Sequence, residues 1–248
     1  MVLKKKPAEL KRMRVAGKIT AKVFEKIANY ICPGITTAEI DQFAIASIKE
    51  YGAKSAFLGY RGYPGSVCIS VNDEVVHGIP GNRRIQIGDI VSIDIGVVVD
   101  SFYGDMAKTI MIGVHDPKTI SLVNTAEKAL CAGIAKAVAG NHLSDVSHAI
   151  ETCASQNGFS VVREFVGHGI GRKMHEEPQI PNFGPPGKGP ELKEGMTLAI
   201  EPMLNMGAPE VEVLNDGWTA VTRDRKLSAH FEHTVVVGRS VAEILTVS

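Results

Sequence analysis

Three carboxylates lie inside apolar runs. Asp94 sits in Ile90-Val91-Ser92-Ile93-Asp94-Ile95, Glu201 in Leu198-Ala199-Ile200-Glu201-Pro202-Met203, and Glu232 between Phe231 and His233, ahead of Val235-Val236-Val237. A fourth, Asp105, lies in Tyr103-Gly104-Asp105-Met106. A carboxylate carried out of water by such a segment needs a counter-charge or a cation. Taken singly, each reads as a salt bridge, a cap or a strand-end charge. Taken together they read as a metal site, because basic partners are scarce in those segments. Asp100-Ser101 marks a turn between Asp94 and Asp105. A hairpin there sets position 94 close to opposite 105 or 106, so that both carboxylates converge.

The second constellation is Gly167-His168-Gly169-Ile170-Gly171-Arg172-Lys173-Met174-His175-Glu176-Glu177-Pro178. Its alternating glycines do not have the spacing of a dinucleotide loop, and Pro178 and Pro181 disfavour the helix that such a loop requires. Glycines on both sides of His168 instead let backbone come close to a crowded site. With two histidines beside the carboxylates, one metal ligand and one proton donor is the simplest assignment.

These residues must be positioned by helices and strands. Leu10, Met13, Ala16, Ile19, Val23, Ile27 and Ile31 recur at helical spacing and stop at Pro33-Gly34. A second helix opens at Thr36, with Glu39 three residues on, and stops at Gly52. Ser66 to Val71, Ile90 to Val99, Phe102 to Ile112 and Val161 to Val166 read as strands, Ser121 to Val138 and Ser144 to Asn157 as helices, and Pro181 to Pro190 as a loop. Gly34, Ile40 and Gly52 are matched by Gly140, Val146 and Gly158, each 106 residues later; Gly88 and Asp94 are matched by Gly195 and Glu201, each 107 later. This offset predicts two related halves of helices packed on strands, about 9–115 and 116–248, within a single domain spanning 1–248 with an N-terminal arm of about 1–8. A cleft between them is the natural place for a site.

The chain has 27 Lys+Arg and 27 Asp+Glu among 248 residues, so it lacks the net charge that would capture nucleic acid or an anionic membrane over its whole surface. Lys4-Lys5-Lys6 is followed by no apolar stretch of a secretory signal and reads as a solvated tail. No C-x-x-C occurs; Cys32, Cys131 and Cys153 read as small core residues in a reducing, cytoplasmic setting.

With these residues in view, the chain resembles the type I methionine aminopeptidases of the pita-bread metallopeptidases. The matching stretches are Tyr60-Arg61-Gly62-Tyr63-Pro64, Ser66 to Asn72, Val75 to Pro80, Gly88 to Asp94, Gly104-Asp105, Gly167 to Pro178, Ile200 to Met203, Asp216 to Thr219 and Glu232-His233-Thr234, and the likeness covers nearly the whole chain. The resemblance implies an α+β pita-bread fold: two pseudo-symmetric halves around a central antiparallel sheet covered by helices. It implies two divalent ions held by Asp94, Asp105, His168, Glu201 and Glu232, with Asp105 and Glu232 bridging. An oxygen-rich donor set favours Mn²⁺, Fe²⁺ or Co²⁺ over a thiolate-type zinc site, although Zn²⁺ also fits the family.

By the same likeness Glu201 assists deprotonation of the attacking water, His175 stabilises the tetrahedral intermediate, and His77 contacts the substrate near the scissile amide. Tyr60, Tyr63, Cys68 and Trp218, with Phe57, build the methionine pocket. Met174 and Phe57 depart from residues common in bacterial relatives. Asn72 and Ser228 match positions that hold a monovalent cation in some relatives. Glu232 follows Glu201 by only 31 positions and nine residues precede Leu10, so the short bacterial form is expected. The implied activity is removal of the N-terminal methionine from nascent chains with a small second residue, by a cytoplasmic monomer that touches the ribosome transiently at most. The alternatives are an X-Pro aminopeptidase or prolidase, which carries a large extra domain, and a metal-free binding protein of the same fold, which loses ligands.

Overall fold

In a computed structural model that describes residues 4–248, the chain opens with two helices, α1 (Pro7–Tyr30) and α2 (Thr37–Glu50). Pro7 occupies the first turn of α1, where its missing N–H is no loss, and Glu9 accepts the Lys6 N–H at 2.9 Å. Thr36 caps α2 reciprocally with Glu39. Five strands follow: β1 (Lys54–Ser55), β2 (Cys68–Val71), β3 (Glu74–Val76), β4 (Ile90–Val99) and β5 (Phe102–Met111). The second helix pair is α3 (Pro117–Lys136) and α4 (Leu143–Gln156). Helix α3 begins four residues ahead of the expected Ser121, because Asp116 caps it at the Thr119 N–H and Pro117 starts it.

The rest is short strands: β6 (Ser160–Val161), β7 (Gly167–Gly169), β8 (Glu176–Ile180), β9 (Thr197–Ile200), β10 (Met203–Asn205), β11 (Val211–Val213), β12 (Ala220–Thr222), β13 (Ser228–His230), β14 (Glu232–Val236) and β15 (Glu243–Ile244). The strand expected over 161–166 is confined to β6. Beyond it the chain turns away, and Phe165 packs edge-on against His77.

The main sheet is antiparallel, in the order β1-β4-β5-β14-β9-β7-β8, with β2 on β4 and β15 on β14. One cluster of buried residues, including Val23, Ile27, Ile40, Ile93 and Ile95, joins α1 and α2 to this sheet. A second, including Leu122, Leu130, Val146, Ile150, Leu198 and Val235, joins α3 and α4 to it. Helix α1 lies directly on β5: a Cβ on Gly104 would sit 2.7 Å from the Gly17 backbone nitrogen, so a glycine is required beside Asp105. Helices α2 and α4 have the same length and lie 106 positions apart. The paired glycines share backbone geometry, with φ of 92° and 95° at Gly34 and Gly140 and 98° and 87° at Gly88 and Gly195. Among the described residues no helix is long and apolar enough to cross a membrane.

Candidate active site

Five adjacent strands of the main sheet bring the five donors together. Asp94 comes from β4, Asp105 from β5, Glu232 from β14 and His168 from β7, while Glu201 is the first residue after β9. Asp94 and Glu232 pair with the same residue, Ala107, from its two sides. Glu201 is one step beyond the registered pair His233↔Ile200, which aligns it with Glu232, and His168 pairs with Ala199. Because side chains alternate along a strand, all five project from one face. The hairpin turns at Asp100-Ser101 (φ 47° and 63°), but its register sets Asp94 against Ala107 and Asp105 against Gly96. The two aspartates are therefore diagonal neighbours on one face, with Asp94 opposite 107, one step past the expected 105 or 106. Both central turn residues have positive φ, the two-residue geometry that fixes this register.

Asp105, His168 and Glu232 are buried, and one donor atom from each falls within 4.8 Å of the others. His168 Nε2 lies 3.5 Å from Glu201 Oε1 and 3.8 Å from Asp105 Oδ2. Its Nδ1 donates to the Gly169 carbonyl at 2.8 Å, so the bare nitrogen is Nε2, facing the carboxylates. Burial holds this ring's pKa down at about 3, with His175 acting in the same direction, so it is neutral and free to ligate at pH 7. The flanking glycines are sterically required, since a Cβ on Gly167 would come 2.5 Å from the Ala199 carbonyl.

Asp94 Oδ1, Asp105 Oδ1 and Glu232 Oε1 are buried without any hydrogen-bond partner. Desolvation pushes Asp94 up to about 7, and raises Asp105, Glu201 and Glu232 well above the usual carboxylate range, with mutual repulsion adding to it. Unpartnered oxygens, mutual repulsion and one imidazole with its open nitrogen turned inward are what a divalent cation would compensate. The donor set fits hard divalent ions.

Two further histidines border this cluster. His175, on the exposed lip between β7 and β8, hydrogen-bonds through Nδ1 to the Tyr60 hydroxyl at 2.8 Å, and its ring lies 4.2 Å from that of His168. Desolvation and the Arg61 guanidinium hold its pKa below the ordinary value. His77 follows β3 with φ 61°, packs against Phe165 and Trp218, and is pushed by burial down to about 4. The sequence reading missed a third. His230 is buried, with an unpartnered Nε2 3.9 Å from Glu201 Oε2. Its signal was a polar residue in an apolar stretch two positions before Glu232.

Phe57, Tyr60, Tyr63, Cys68, Met174 and Trp218 form one apolar cluster that lines a cleft of about 150 Å³ together with the five donors and both His77 and His175. Trp218 meets Tyr63 edge-on at 5.1 Å, and Tyr63 is held by its hydroxyl donating to the Gly78 carbonyl. Gly96 keeps the floor low, since a Cβ there would lie 2.6 Å from Phe57 Cε1 and 3.0 Å from Met174 Cε.

The model of metallopeptidase family M24 matches residues 11–239. The chain is 50% identical over 246 residues to "Methionine aminopeptidase 1" of Bacillus subtilis, covering 99% of each chain. It is 44% identical over 244 residues to the methionine aminopeptidase of Escherichia coli, covering 98% of this chain and 92% of the other. The chain belongs to metallopeptidase family M24. The methionine aminopeptidase structure from Thermotoga maritima superposes with a TM-score of 0.98 at 44% identity over the full length of both chains, which makes the fold that of the pita-bread enzymes. A prolidase from Pyrococcus furiosus shares only the fold: its TM-score is 0.81 at 21% identity, and this chain covers 65% of it.

Several expectations away from the M24 cleft need correction. Cys32 and Cys131 are exposed and Cys153 half-buried, so of the four cysteines only Cys68 is a core residue. Cys32 lies just past the end of α1, and Cys131 is on the solvent face of α3. Lys5 is no solvated tail residue, because its side chain is buried in an ion pair with Glu176. Asn72 and Ser228 are direct neighbours: the Asn72 carbonyl accepts the Ser228 N–H, while the Asn72 side chain binds the Ile90 N–H and Asp89.

Proposed function

We propose that this M24 chain removes the N-terminal methionine from peptides and nascent proteins, preferring a small second residue. The carrying observation is the convergence of five donors on one face of the sheet at the end of an apolar slot. Asp94, Asp105, His168, Glu201 and Glu232 would hold two divalent ions, with Mn²⁺, Fe²⁺, Co²⁺ and Zn²⁺ as candidates. Such ions supply a hydroxide equivalent at neutral pH and polarise the scissile carbonyl.

The residues divide the remaining work. The slot formed by Phe57, Tyr60, Tyr63, Cys68, Met174 and Trp218 receives the methionine side chain, where an unbranched thioether gains sulfur–aromatic contacts. Glu201, on the cleft side of β9, accepts the proton from the attacking water. In the tautomer whose Nδ1 accepts from the Tyr60 hydroxyl, His175 keeps its proton on Nε2, available to the oxygen that gains charge during attack. His77, kept neutral and braced by Phe165 and Trp218, hydrogen-bonds near the scissile amide. The cytoplasm, a monomeric state and transient contact with the ribosome complete this reading.

The test compares kcat/KM for Met-Ala-Ser, Leu-Ala-Ser and Met-Lys-Ser with the metal-loaded protein. Shape discrimination between similar apolar side chains is worth about 10–200-fold, and methionine should win by at least that range, with lysine at the second position disfavoured. Equal kcat/KM for methionine- and leucine-initiated tripeptides would refute the pocket.

A further inference from the structure

The segment ahead of α1 reaches the cleft from outside. Lys5 donates its backbone N–H to the Gly195 carbonyl at 2.8 Å, and Lys4 bridges to Met196. So anchored, the Lys5 side chain, 6% exposed, runs inward and places its Nζ 2.6 Å from Glu176 Oε2. The other oxygen of Glu176 accepts the Arg172 N–H at 2.7 Å and the Lys173 N–H at 3.2 Å. One carboxylate thus closes the 172–176 loop on itself, and the Lys5 ammonium balances its charge.

That loop carries Met174 into the apolar slot and His175 to the Tyr60 hydroxyl. Gly171, at its base, has no room for a side chain: a Cβ there would run into Lys5 Cε and lie 2.8 Å from both Lys5 Nζ and Glu176 Oε1. A second tie joins the same loop to α1, from Arg172 to Glu9 at 3.1 Å. A partly buried ion pair with satisfied geometry contributes little net stability on average, but losing one partner leaves an uncompensated charge that must move to water. Here the charge left behind would be that of the Glu176 carboxylate, which sets the loop's shape.

We propose that Lys5 is a positioning residue for catalysis, holding His175 in place through Glu176. The inference rests on the role given to His175 under the proposed function. A group acting in the transition state loses efficiency steeply when displaced, and a misplacement of about 1 Å can cost about a hundredfold.

The test uses the full-length, metal-loaded protein and Met-Ala-Ser. Lys5→Met keeps the apolar stem against Gly171 and removes only the ammonium. Gly171→Ala, which would expel Lys5 from the opposite side, is the independent second variant. Each, assayed well below its own Tm, should lower kcat by at least about tenfold with KM and metal content little changed. In a double-mutant cycle, Lys5→Met should add no further loss in the His175→Ala background. Wild-type kcat in Lys5→Met, equal losses in both backgrounds, or a fall in kcat that only follows lost metal or a lowered Tm would overturn the proposal and leave His175 catalytic. Wild-type kcat in His175→Ala would overturn the role of His175 and this inference with it.

Discussion

Removing the metal should destabilise the protein, and by an amount that grows with pH. Desolvation raises the Asp94 pKa in the fold from its ordinary 3.8 to about 7. At 1.36 kcal/mol per unit this one carboxylate costs the cation-free fold about 4 kcal/mol once it must ionise. The sign follows from the raised pKa: the folded protein holds the proton more tightly than the unfolded chain. The stabilising proton is fully bound below about pH 4 and is lost as pH rises through about 7. Asp105, Glu201 and Glu232 are raised in the same direction. A bound cation lets these carboxylates ionise without that cost.

His77, His168 and His230 are depressed instead, so their contribution is lost as pH falls below about 6.5. They stay neutral with or without a cation, so they drop out of the difference. Calorimetry of chelator-dialysed and Mn²⁺-loaded protein between pH 5 and 8 should therefore show a widening gap in Tm. At about 2–4 °C per kcal/mol for a chain of this size, the four carboxylates together should open a gap on the order of 10 °C by pH 8. Asp94→Asn should reduce the pH dependence, leaving the part that Asp105, Glu201 and Glu232 contribute. A gap that is absent, or constant from pH 5 to 8, would refute the argument that uncompensated carboxylates destabilise the fold.

His175→Ala should lower kcat for Met-Ala-Ser by about 10²–10³ with little change in KM, and His77→Ala should also slow turnover. Metal analysis should find full ion content in both; loss of an ion would make that histidine a ligand. Gly96→Ala should destabilise the protein by about 1–3 kcal/mol in denaturant titrations, because the added methyl meets Phe57 and Met174. Its KM for methionine peptides should rise more than its kcat falls, and an unchanged KM would mean that Phe57 does not shape the slot.

The helices were legible wherever the apolar spacing and the caps agreed, as at Thr36 and Glu39. Where a helix began on a cap and a proline outside the periodic stretch, as at Asp116-Pro117, its start was misplaced. The carboxylates stood out because a charge in an apolar run is locally anomalous. Their spatial order was not legible, since Glu201 and Glu232 meet Asp94 and Asp105 through strand pairings that connect distant parts of the chain. The hairpin turn was legible at Asp100-Ser101 and its register nearly so: a two-residue loop there pairs Val99 with Phe102 and hence Asp94 with Ala107, one step past the expected 105 or 106. Lys5 looked like its neighbours Lys4 and Lys6, and nothing local marks the one lysine whose partner lies 171 positions away. The cysteines misled because residue type sets only an average burial, and one step around α3 separates Cys131 from the buried Leu130.

The order of strands also bears on why the site has the donors it has. We propose that residues of about 9–115 and 116–248 are two copies of one unit, related by an approximate two-fold axis through the joint between β5 and β14. Across that joint the sheet runs β4-β5-β14-β9, with Asp94 and Asp105 on one side and Glu232 and Glu201 on the other. The inner strands then supply Asp105 and Glu232 and the outer ones Asp94 and Glu201, two carboxylates from each half. Opposed like charges of this kind repel until a cation lies between them, so neither half can complete the site alone. His168 breaks the symmetry, because β7 continues the sheet beyond β9 and carries an imidazole on the second half's side only. Of two ions held by these residues, the one on the Asp94 side would meet only oxygen, and the one on the His168 side would also meet a nitrogen. Ligand chemistry of that kind makes the two positions unequal in affinity, with the nitrogen-bearing one favouring the later first-row ions.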